Sequence, residues 1–275
     1  CQGVRMKLAA VWYWKKASTI LPSWRDGLRA AIEVIGENHD VDYFLDERVP
    51  SVESHYDAVI VWGDSNCPFL QNIHQYQGKK GIFLTTNPTN PGNLFGLDAI
   101  YCESEPVYQE VRRHGLRAIK AFGTDTAFFT PDESVKKDIE YFYPATFSPW
   151  KRQSAIAHLG KNLLCVGTLQ PDGIGELEAC RKNGVQIEEG YFPVERIKEY
   201  YTRTKNIIIP AVHGSERTVL EAMSMNILPT VVPENIKAHS YLDEYSSGVY
   251  EYPRDFVLKN YSPQIYAKQI LRGIT

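Results

Sequence analysis

The sequence predicts an α/β protein with two doubly wound, Rossmann-like domains, each built on a parallel sheet. Short apolar runs alternate with amphipathic helical patterns along the chain, which is typical of a parallel sheet covered on both faces. The pattern restarts after a polar, proline-bearing stretch at residues 124–138, and the two halves are of similar size. With 275 residues, the chain is long enough to bury two separate cores.

The first half contains six apolar runs that we interpret as strands. They are residues 6–14, 41–45, 56–63, 81–86, 98–104 and 117–123. Helical spacing of apolar residues predicts helices at 24–37 and 104–115. The second of these helices starts with Ser104 before a proline and stops at Gly115.

The second half repeats this alternation. Its predicted strands are residues 139–145, 162–169, 185–191, 206–212 and 227–232, and its predicted helices are 148–160, 173–184, 193–204 and 262–274. Ser148 is expected to cap the first of these helices, with Pro149 in its first turn. We expect an N-terminal domain at residues 1–130, a C-terminal domain at 131–260, and a final helix in 261–275 that packs back toward the N-terminal domain.

Charge and composition exclude several classes of protein. The formal net charge is −3, which predicts no strong overall attraction to nucleic acid or an anionic membrane and leaves a local basic groove open. No apolar stretch approaches the roughly 20 residues of a membrane helix, and no signal peptide is visible, so we expect a cytoplasmic location. Five cysteines without a CxxC pair indicate reduced thiols, and Cys102 and Cys165 lie in apolar runs.

Common catalytic motifs are absent from the sequence. It has no P-loop, no strand-borne GxGxxG, no HExxH, no paired-cysteine metal site and no GxSxG elbow. The seven histidines are scattered, and no Asp-x-Asp pair ends a strand, so no metal site is predicted.

The most informative segment is HGSERTVLEAM at residues 213–223, which lies between two predicted strands. Gly214 can adopt a positive φ, and Ser215 is expected to cap the helix that follows. The start of such a helix favours an anion. Glu221 falls among apolar residues of this helix and would need polar partners, which ribose hydroxyls would provide.

The order of several stretches resembles that of retaining glycosyltransferases of family 4, which have the GT-B fold. VLEAM followed by NILPTVV resembles the second half of the family's donor-sugar signature, GTDTAFFTPD its interdomain linker, and SPWKR its phosphate-binding loop. The stretches NLLCVG, IEEGYFPVERIKEYYTRTKNIIIPA and DAIYCESEPVYQEVRRHG also agree with the family. The resemblance covers residues 98–235, and the earlier part agrees only in pattern.

The resemblance implies a site for a nucleotide-sugar donor, UDP- or GDP-linked, with no other cofactor. Lys151, helped by Arg152, would neutralise the leaving diphosphate, and His213 stands where the family has a glutamate that touches the sugar. The remaining residues implied in donor binding, through backbone N–H groups or side chains, are Thr168, Tyr191, Gly214, Ser215, Glu216, Thr218, Val219 and Glu221. Glu216 fits a solvated first-turn acid equally well.

Three positions depart from the family. His213 replaces the first glutamate, Thr146 stands where the family often has an arginine, and the loop at residues 85–93 lacks the family's histidine. These departures fit either a different donor sugar or an inactive module that binds sugar nucleotides or glycans. The family's front-face mechanism needs no side-chain nucleophile, so transfer remains compatible with them.

An acceptor site is expected on the first domain, in the segment at residues 12–27 after the first strand. Lys15, Lys16, Trp24 and Arg25 are the candidates, because cations meet phosphates and aromatic faces stack on sugars or bases. Trp12 and Trp14 share one strand face, which favours core packing, and the stretch at 62–69 also follows a strand. The chain is compact for the family, as in phage-type DNA glycosyltransferases of the same fold, so glycan, lipid-linked sugar and DNA base are all open as acceptors.

Overall fold

The computed structural model describes residues 4–14 and 26–275, which form two compact units. The first unit combines the chain up to Gly123 with the C-terminal stretch from Tyr261 to Thr275, and the second runs from Thr124 to Asn260. Each unit is built on a parallel sheet, so the predicted pair of doubly wound α/β domains is confirmed.

A six-stranded parallel sheet of order β2-β1-β3-β4-β5-β6 forms the first unit. Its strands are β1 (Lys7–Trp12), β2 (Asp40–Phe44), β3 (Ala58–Gly63), β4 (Lys79–Leu84), β5 (Ala99–Cys102) and β6 (Ala118–Lys120). Helix α1 (Gly27–Gly36) precedes β2, and helix α2 (Glu105–Arg113) precedes β6. Short 3-10 turns, Pro68–Gln71, Ile73–Gln75 and Pro91–Leu94, occupy the loops after β3 and β4.

Apolar side chains cover both faces of this sheet, because successive residues of a strand point to opposite sides. In β1, Leu8, Ala10 and Trp12 face one core cluster, whereas Ala9 and Val11 face the other. Trp14 packs partly against the same cluster as Trp12. The core role expected for Trp12 is therefore confirmed, whereas Trp14 is only partly buried.

A five-stranded parallel sheet of order β11-β10-β7-β8-β9 forms the second unit. Its strands are β7 (Ile139–Pro144), β8 (Leu163–Gly167), β9 (Gln186–Glu189), β10 (Thr204–Ile209) and β11 (Thr230–Val231). Its helices are α3 (Gln153–Ile156), α4 (Ile174–Lys182), α5 (Val194–Arg203), α6 (Glu216–Ser224), α7 (Ile236–Ser247) and α8 (Pro253–Asn260). All strands are parallel, so the loops that follow them meet at one edge of the sheet.

Two features of this unit differ from the sequence prediction. The helix predicted at residues 148–160 is instead a 3-10 turn (Pro149–Lys151), the short α3, and a second 3-10 segment (Ala157–Asn162). The break follows from Arg152, whose φ of 53° is left-handed and cannot continue a helix. Helices α7 and α8 were not predicted, although Asn235 before α7 is a typical helix cap.

Helix α6 is anchored at its C-terminal end by Arg254 at the start of α8. The guanidinium donates hydrogen bonds to Ser224 O at 2.6 Å, to Phe129 O at 2.8 Å and to Thr126 O at 3.0 Å. The Ser224 hydroxyl donates to the same Phe129 carbonyl at 2.6 Å. The segment that enters the second unit is thereby fixed to the end of α6.

Two sequence-based expectations can be compared with the described residues: one about the cysteines and one about membrane helices. Cys67, Cys102, Cys165 and Cys180 are free and buried, as predicted for reduced thiols. No helix in the described part of the chain is long and apolar enough to cross a membrane.

The last helix, α9 (Pro263–Ile274), packs in the first unit beside α1 and β5. The Tyr101 hydroxyl of β5 donates a hydrogen bond to Ile270 O at 2.7 Å. Gly273 lies so close to β5 that a Cβ there would meet Tyr101 Oη and stand 2.8 Å from the Ala99 Cβ.

We expect Gly273→Ala to lower the free energy of unfolding by about 1–3 kcal/mol, because the added methyl overpacks this contact. Urea unfolding of the whole chain measures it. Gly36→Ala, at the end of α1 with nothing within 4 Å of the new methyl, is the control, and it should change the free energy by less than about 1 kcal/mol. Equal losses in both variants would contradict the close contact.

Candidate functional site

The turn between β10 and α6 contains two consecutive residues in the left-handed region. Gly214 has a φ of 75°, as predicted from its place in the sequence, and Ser215 has a φ of 74°. Left-handed backbone is unfavourable for a side chain with a Cβ, so Ser215 needs support from its surroundings. Where the backbone changes hand, as from Ser215 to the helical Glu216, successive N–H groups converge and form an anion-binding concavity.

Lys151 provides this support. Its ammonium donates hydrogen bonds to the Ser215 hydroxyl at 2.9 Å and to the His213 carbonyl at 3.3 Å. The prediction that Ser215 caps helix α6 is wrong, because its hydroxyl makes no cap hydrogen bond. The left-handed backbone of Ser215 is incompatible with the extended geometry of a capping residue, and the hydroxyl accepts from Lys151 instead.

The loop after β7 holds the Lys151 backbone against the same turn. The Tyr143 hydroxyl donates to Lys151 O at 3.1 Å, and Val212 N–H donates to Trp150 O at 3.0 Å. Arg152, the second predicted cation, extends to Glu234, with 4.0 Å between Arg152 Nη1 and the carboxylate Oε1. Lys151 is therefore the cation that contacts the turn, whereas Arg152 points to the beginning of α7.

The environment of Lys151 weakens its hold on a proton. Burial lowers its pKa to about 8, Glu216 opposes this change, and the charges of Arg217 and Lys237 add to it. Of these three cations at the start of α6, Lys237 and Arg217 have carboxylate partners, so Lys151 adds the net positive charge where the helix dipole is already positive. This arrangement favours an anion at the turn.

Two residues that the sequence interpretation missed, the cap of α7 and a residue of its first turn, complete the support of the turn. The Asn235 side chain donates to Gly214 O at 2.8 Å, and its oxygen accepts from Ala238 N–H at 3.2 Å. Lys237 Nζ lies 2.9 Å from Glu216 Oε1, and both side chains are less than a tenth exposed. Glu216 is consequently part of a buried ion pair, and its interpretation as a solvated acid is wrong.

Glu221 lies one turn further along α6 and is 7% exposed. The Tyr201 hydroxyl donates to its Oε2 at 3.0 Å, and Arg217 Nε lies 3.3 Å from its Oε1. Its apolar neighbours in α6, Val219, Leu220, Ala222 and Met223, are fully buried as expected. The protein thus supplies two partners for the Glu221 carboxylate and fixes its orientation.

The N–H groups at the start of α6 are available only up to Thr218. The first residues of any helix have no intrahelical acceptor for their N–H groups, whereas Val219 N–H donates to Ser215 O at 3.1 Å. The prediction that Val219 offers its N–H to a ligand is therefore wrong, because that bond belongs to the helix. Residues 214–218 keep this predicted role.

His213 begins the segment and is exposed. Burial of part of its ring lowers its pKa below the ordinary value, and the charges of Lys237 and Lys151 act in the same direction. Its imidazole is therefore neutral at pH 7 and can both donate and accept a hydrogen bond. A carboxylate at this position would carry a full negative charge instead.

The other predicted donor residues lie at the same edge of the sheet. Thr168 follows β8 and is partly buried, and its carbonyl accepts from Phe147 N–H at 2.8 Å. Tyr191 follows β9 and is 58% exposed, so its ring is accessible to a ligand. The acceptor candidates Lys15, Lys16, Trp24 and Arg25 lie outside the described residues.

Comparison with known proteins identifies the fold. No family model and no curated protein sequence matches the chain. The structure resembles AviGT4, a glycosyltransferase involved in avilamycin A biosynthesis, with a TM-score of 0.65 and 14% identity over 98% of this chain and 97% of that one. It also resembles an alpha-glucosyltransferase solved with UDP and a 13-mer DNA containing an HMU base, with a TM-score of 0.61 and 11% identity over 98% and 100% of the two chains.

A third similar structure is a putative UDP-N-acetylglucosamine 2-epimerase from Listeria monocytogenes, with a TM-score of 0.53 and 12% identity over 98% and 96% of the two chains. Identities this low show the shared architecture. The chain has the two parallel-sheet, Rossmann-like domains of GT-B glycosyltransferase structures.

The buried ion pair of Glu216 and Lys237 is expected to affect the free energy of unfolding. We expect Lys237→Met to lower the free energy of unfolding by about 3–5 kcal/mol, because it leaves a buried carboxylate without its cation. The double variant Glu216→Gln/Lys237→Met should regain most of this loss. Lys205→Met, which breaks the exposed pair with Glu140, should cost less than about 1 kcal/mol. Urea unfolding distinguishes these results, and a double variant as unstable as the single one would contradict the pairing.

The pKa of Lys151 predicts how anion binding depends on pH. Because this pKa is about 8, the ammonium loses its charge as the pH rises through that value. The dissociation constant of sulfate, an anion whose charge stays fixed in this range, should be nearly constant below this pH and rise by up to about tenfold per unit above it when measured by calorimetry. Lys151→Arg keeps its charge and should remove the rise. A wild-type constant that does not change up to about pH 10 would contradict contact between Lys151 and the bound anion.

Proposed function

We propose that this chain is a glycosyltransferase that moves a sugar from a nucleotide-sugar donor to an acceptor, with retention of configuration and without a metal ion. The observation that carries the proposal is the contact of Lys151 with the left-handed turn at Gly214 and Ser215. This contact puts a cation and converging N–H groups at the start of α6. Such an arrangement suits the diphosphate of a sugar nucleotide.

In this proposal, Lys151 neutralises the charge that develops on the leaving nucleoside diphosphate. A fixed cation in a partly buried site stabilises that charge more than water does, because it needs no reorganisation during the reaction. The N–H groups of residues 214–218 hold the phosphates. This cationic turn provides the charge that a metal ion supplies in other transferases, which is the reason for proposing a metal-independent reaction.

The remaining donor contacts follow from the positions of the side chains. Glu221, oriented by Tyr201 and Arg217, accepts hydrogen bonds from the ribose. Tyr191 stacks on the base, Thr168 lines the same edge, and UDP or GDP is the expected nucleotide. The neutral His213 contacts the transferred sugar at the place where family 4 has a glutamate, so it selects the donor sugar by hydrogen bonds and not by charge.

An inactive module that binds sugar nucleotides is the alternative function, and the replacement of a family glutamate by His213 favours it. Both functions require nucleotide binding, and only the transferase releases the sugar. The acceptor of the transferase would be a glycan, a lipid-linked sugar or a modified DNA base, with Lys15, Lys16, Trp24 and Arg25 contacting it.

The test is a panel of UDP-, GDP- and ADP-sugars, incubated with and without acceptors. We expect release of the nucleoside diphosphate from one donor, and nuclear magnetic resonance of the product should show the donor's anomeric configuration. Lys151→Ala should lower kcat by about 100-fold or more, because it removes the fixed cation from the transition state. Lys161→Ala, at an exposed lysine of the same unit, is the matched control and should leave kcat unchanged.

Three outcomes separate the alternatives. Nucleotide binding without any release of sugar would support the inactive module. Inversion of the anomeric configuration would contradict retention and leave transfer intact. Undiminished turnover in Lys151→Ala would contradict the role of Lys151.

A further inference from the structure

The loops after β3 and β4 form one polar surface at the carboxyl edge of the first unit's sheet. These two strands are neighbours in register, with Trp62 opposite Phe83 and Gly63 opposite Leu84. The surface includes four exposed polar residues of these loops, Asp64, Asn66, Thr89 and Asn90. We call these four residues the amide surface. In open α/β sheets, ligands bind at this edge.

A single buried serine holds the amide surface rigid. The Ser65 hydroxyl is 1% exposed and accepts hydrogen bonds from Thr89 N–H and Asn90 N–H, each at 3.0 Å. The Asn93 side chain donates to Ser65 O at 2.8 Å, and the Asn66 side chain donates to the Thr89 hydroxyl at 2.7 Å. Loops whose backbone is fixed in this way lose little conformational entropy when they bind a partner.

The chemistry of the surface selects hydroxyl groups over phosphates. An amide can donate to a hydroxyl and accept from it, and a carboxylate such as Asp64 can only accept. The sequence has no lysine or arginine at residues 64–78 or 85–98. Binding to a nucleic acid depends on such cations, because they displace the counterions of the phosphates.

The described residues that flank the amide surface do not give it a positive charge. Asp26 and Glu103 are buried, and Glu105 lies 3.7 Å from the Lys120 ammonium, so these groups add little net charge to the exposed edge. Trp14 and Trp62 are partly buried, with their ring centroids 6.1 Å apart, and pack against the core cluster that contains Trp12.

We propose that the acceptor is an uncharged, hydroxyl-rich glycan and that the amide surface binds it. This inference rests on the proposed transferase function and names the acceptor class for it. Asn66 and Asn90 bind acceptor hydroxyls, and Asp64 accepts from one of them. A DNA base is not the acceptor in this proposal, because the phosphates of its duplex would meet Asp64 and no lysine or arginine of the two loops.

The first test compares two acceptor classes with the full chain. Free hexoses and disaccharides are offered beside a duplex 13-mer with hydroxymethylated bases, together with the panel of nucleotide sugars. We expect transfer to a saccharide and none to DNA. Fluorescence anisotropy should give a dissociation constant for the duplex weaker than about 10⁻⁴ M at about 200 mM salt. Transfer to DNA, or a constant tighter than about 10⁻⁶ M that weakens steeply with salt, would overturn the proposal.

The second test separates acceptor binding from donor binding. Asn66→Ala and Asn90→Ala should each raise the acceptor KM by about 3- to 10-fold, the range of one neutral hydrogen bond. The KM for the donor and its slow hydrolysis without acceptor should stay unchanged. Asn38→Ala, an exposed asparagine at the opposite edge of the sheet, is the matched control.

The outcomes distinguish failure of this inference from failure of the proposed function. An unchanged acceptor KM in the Asn66→Ala/Asn90→Ala double variant would overturn the amide surface as the acceptor site and leave the transferase intact. Absence of nucleotide binding in the unaltered chain would overturn the proposed function, and this inference with it.

Discussion

The contact between the Lys151 ammonium and the turn at residues 213–215 is the interaction on which the candidate site depends. It joins the loop after β7 to the loop after β10, two neighbouring strands of the second sheet. Two consecutive left-handed residues, one of them not a glycine, are unfavourable on their own. The hydrogen bonds from Lys151 and Asn235 offset this cost and hold the N–H groups of the turn in one direction.

The same contact leaves a positive potential at the start of α6. The Lys151 ammonium donates hydrogen bonds to a hydroxyl and a carbonyl, which are neutral groups and leave its charge in place. The nearby Glu216 carboxylate is paired with Lys237. Partly buried positive charge is unfavourable until an anion arrives, and the depressed pKa of Lys151 expresses this cost. Sites that bind ligands are commonly less stable than they would be with other residues at the same positions.

The sequence predicted those features that depend on local pattern. Strands and most helices follow from apolar periodicity, and the conformation of Gly214 and the burial of Glu221 follow from their places in one short segment. The break at Arg152, the partner of Ser215 and the ion pair of Glu216 with Lys237 depend on contacts between segments far apart in the chain. Such contacts can override the local conformational preference of a residue. The conformation therefore could not be predicted from the sequence around that residue alone.

The two units differ in the chemistry that they present at the carboxyl edges of their sheets. The second presents cations and helix N–H groups, and the described loops of the first present amides, hydroxyls and carboxylates. This difference matches a donor with a diphosphate and an acceptor with hydroxyls. A crystal structure of the chain with UDP tests the central claim most directly. It should show the diphosphate oxygens within hydrogen-bond distance of Lys151 Nζ and of the N–H groups at residues 214–218. UDP bound elsewhere, with the Lys151 contact to Ser215 intact and no phosphate near it, would contradict the account.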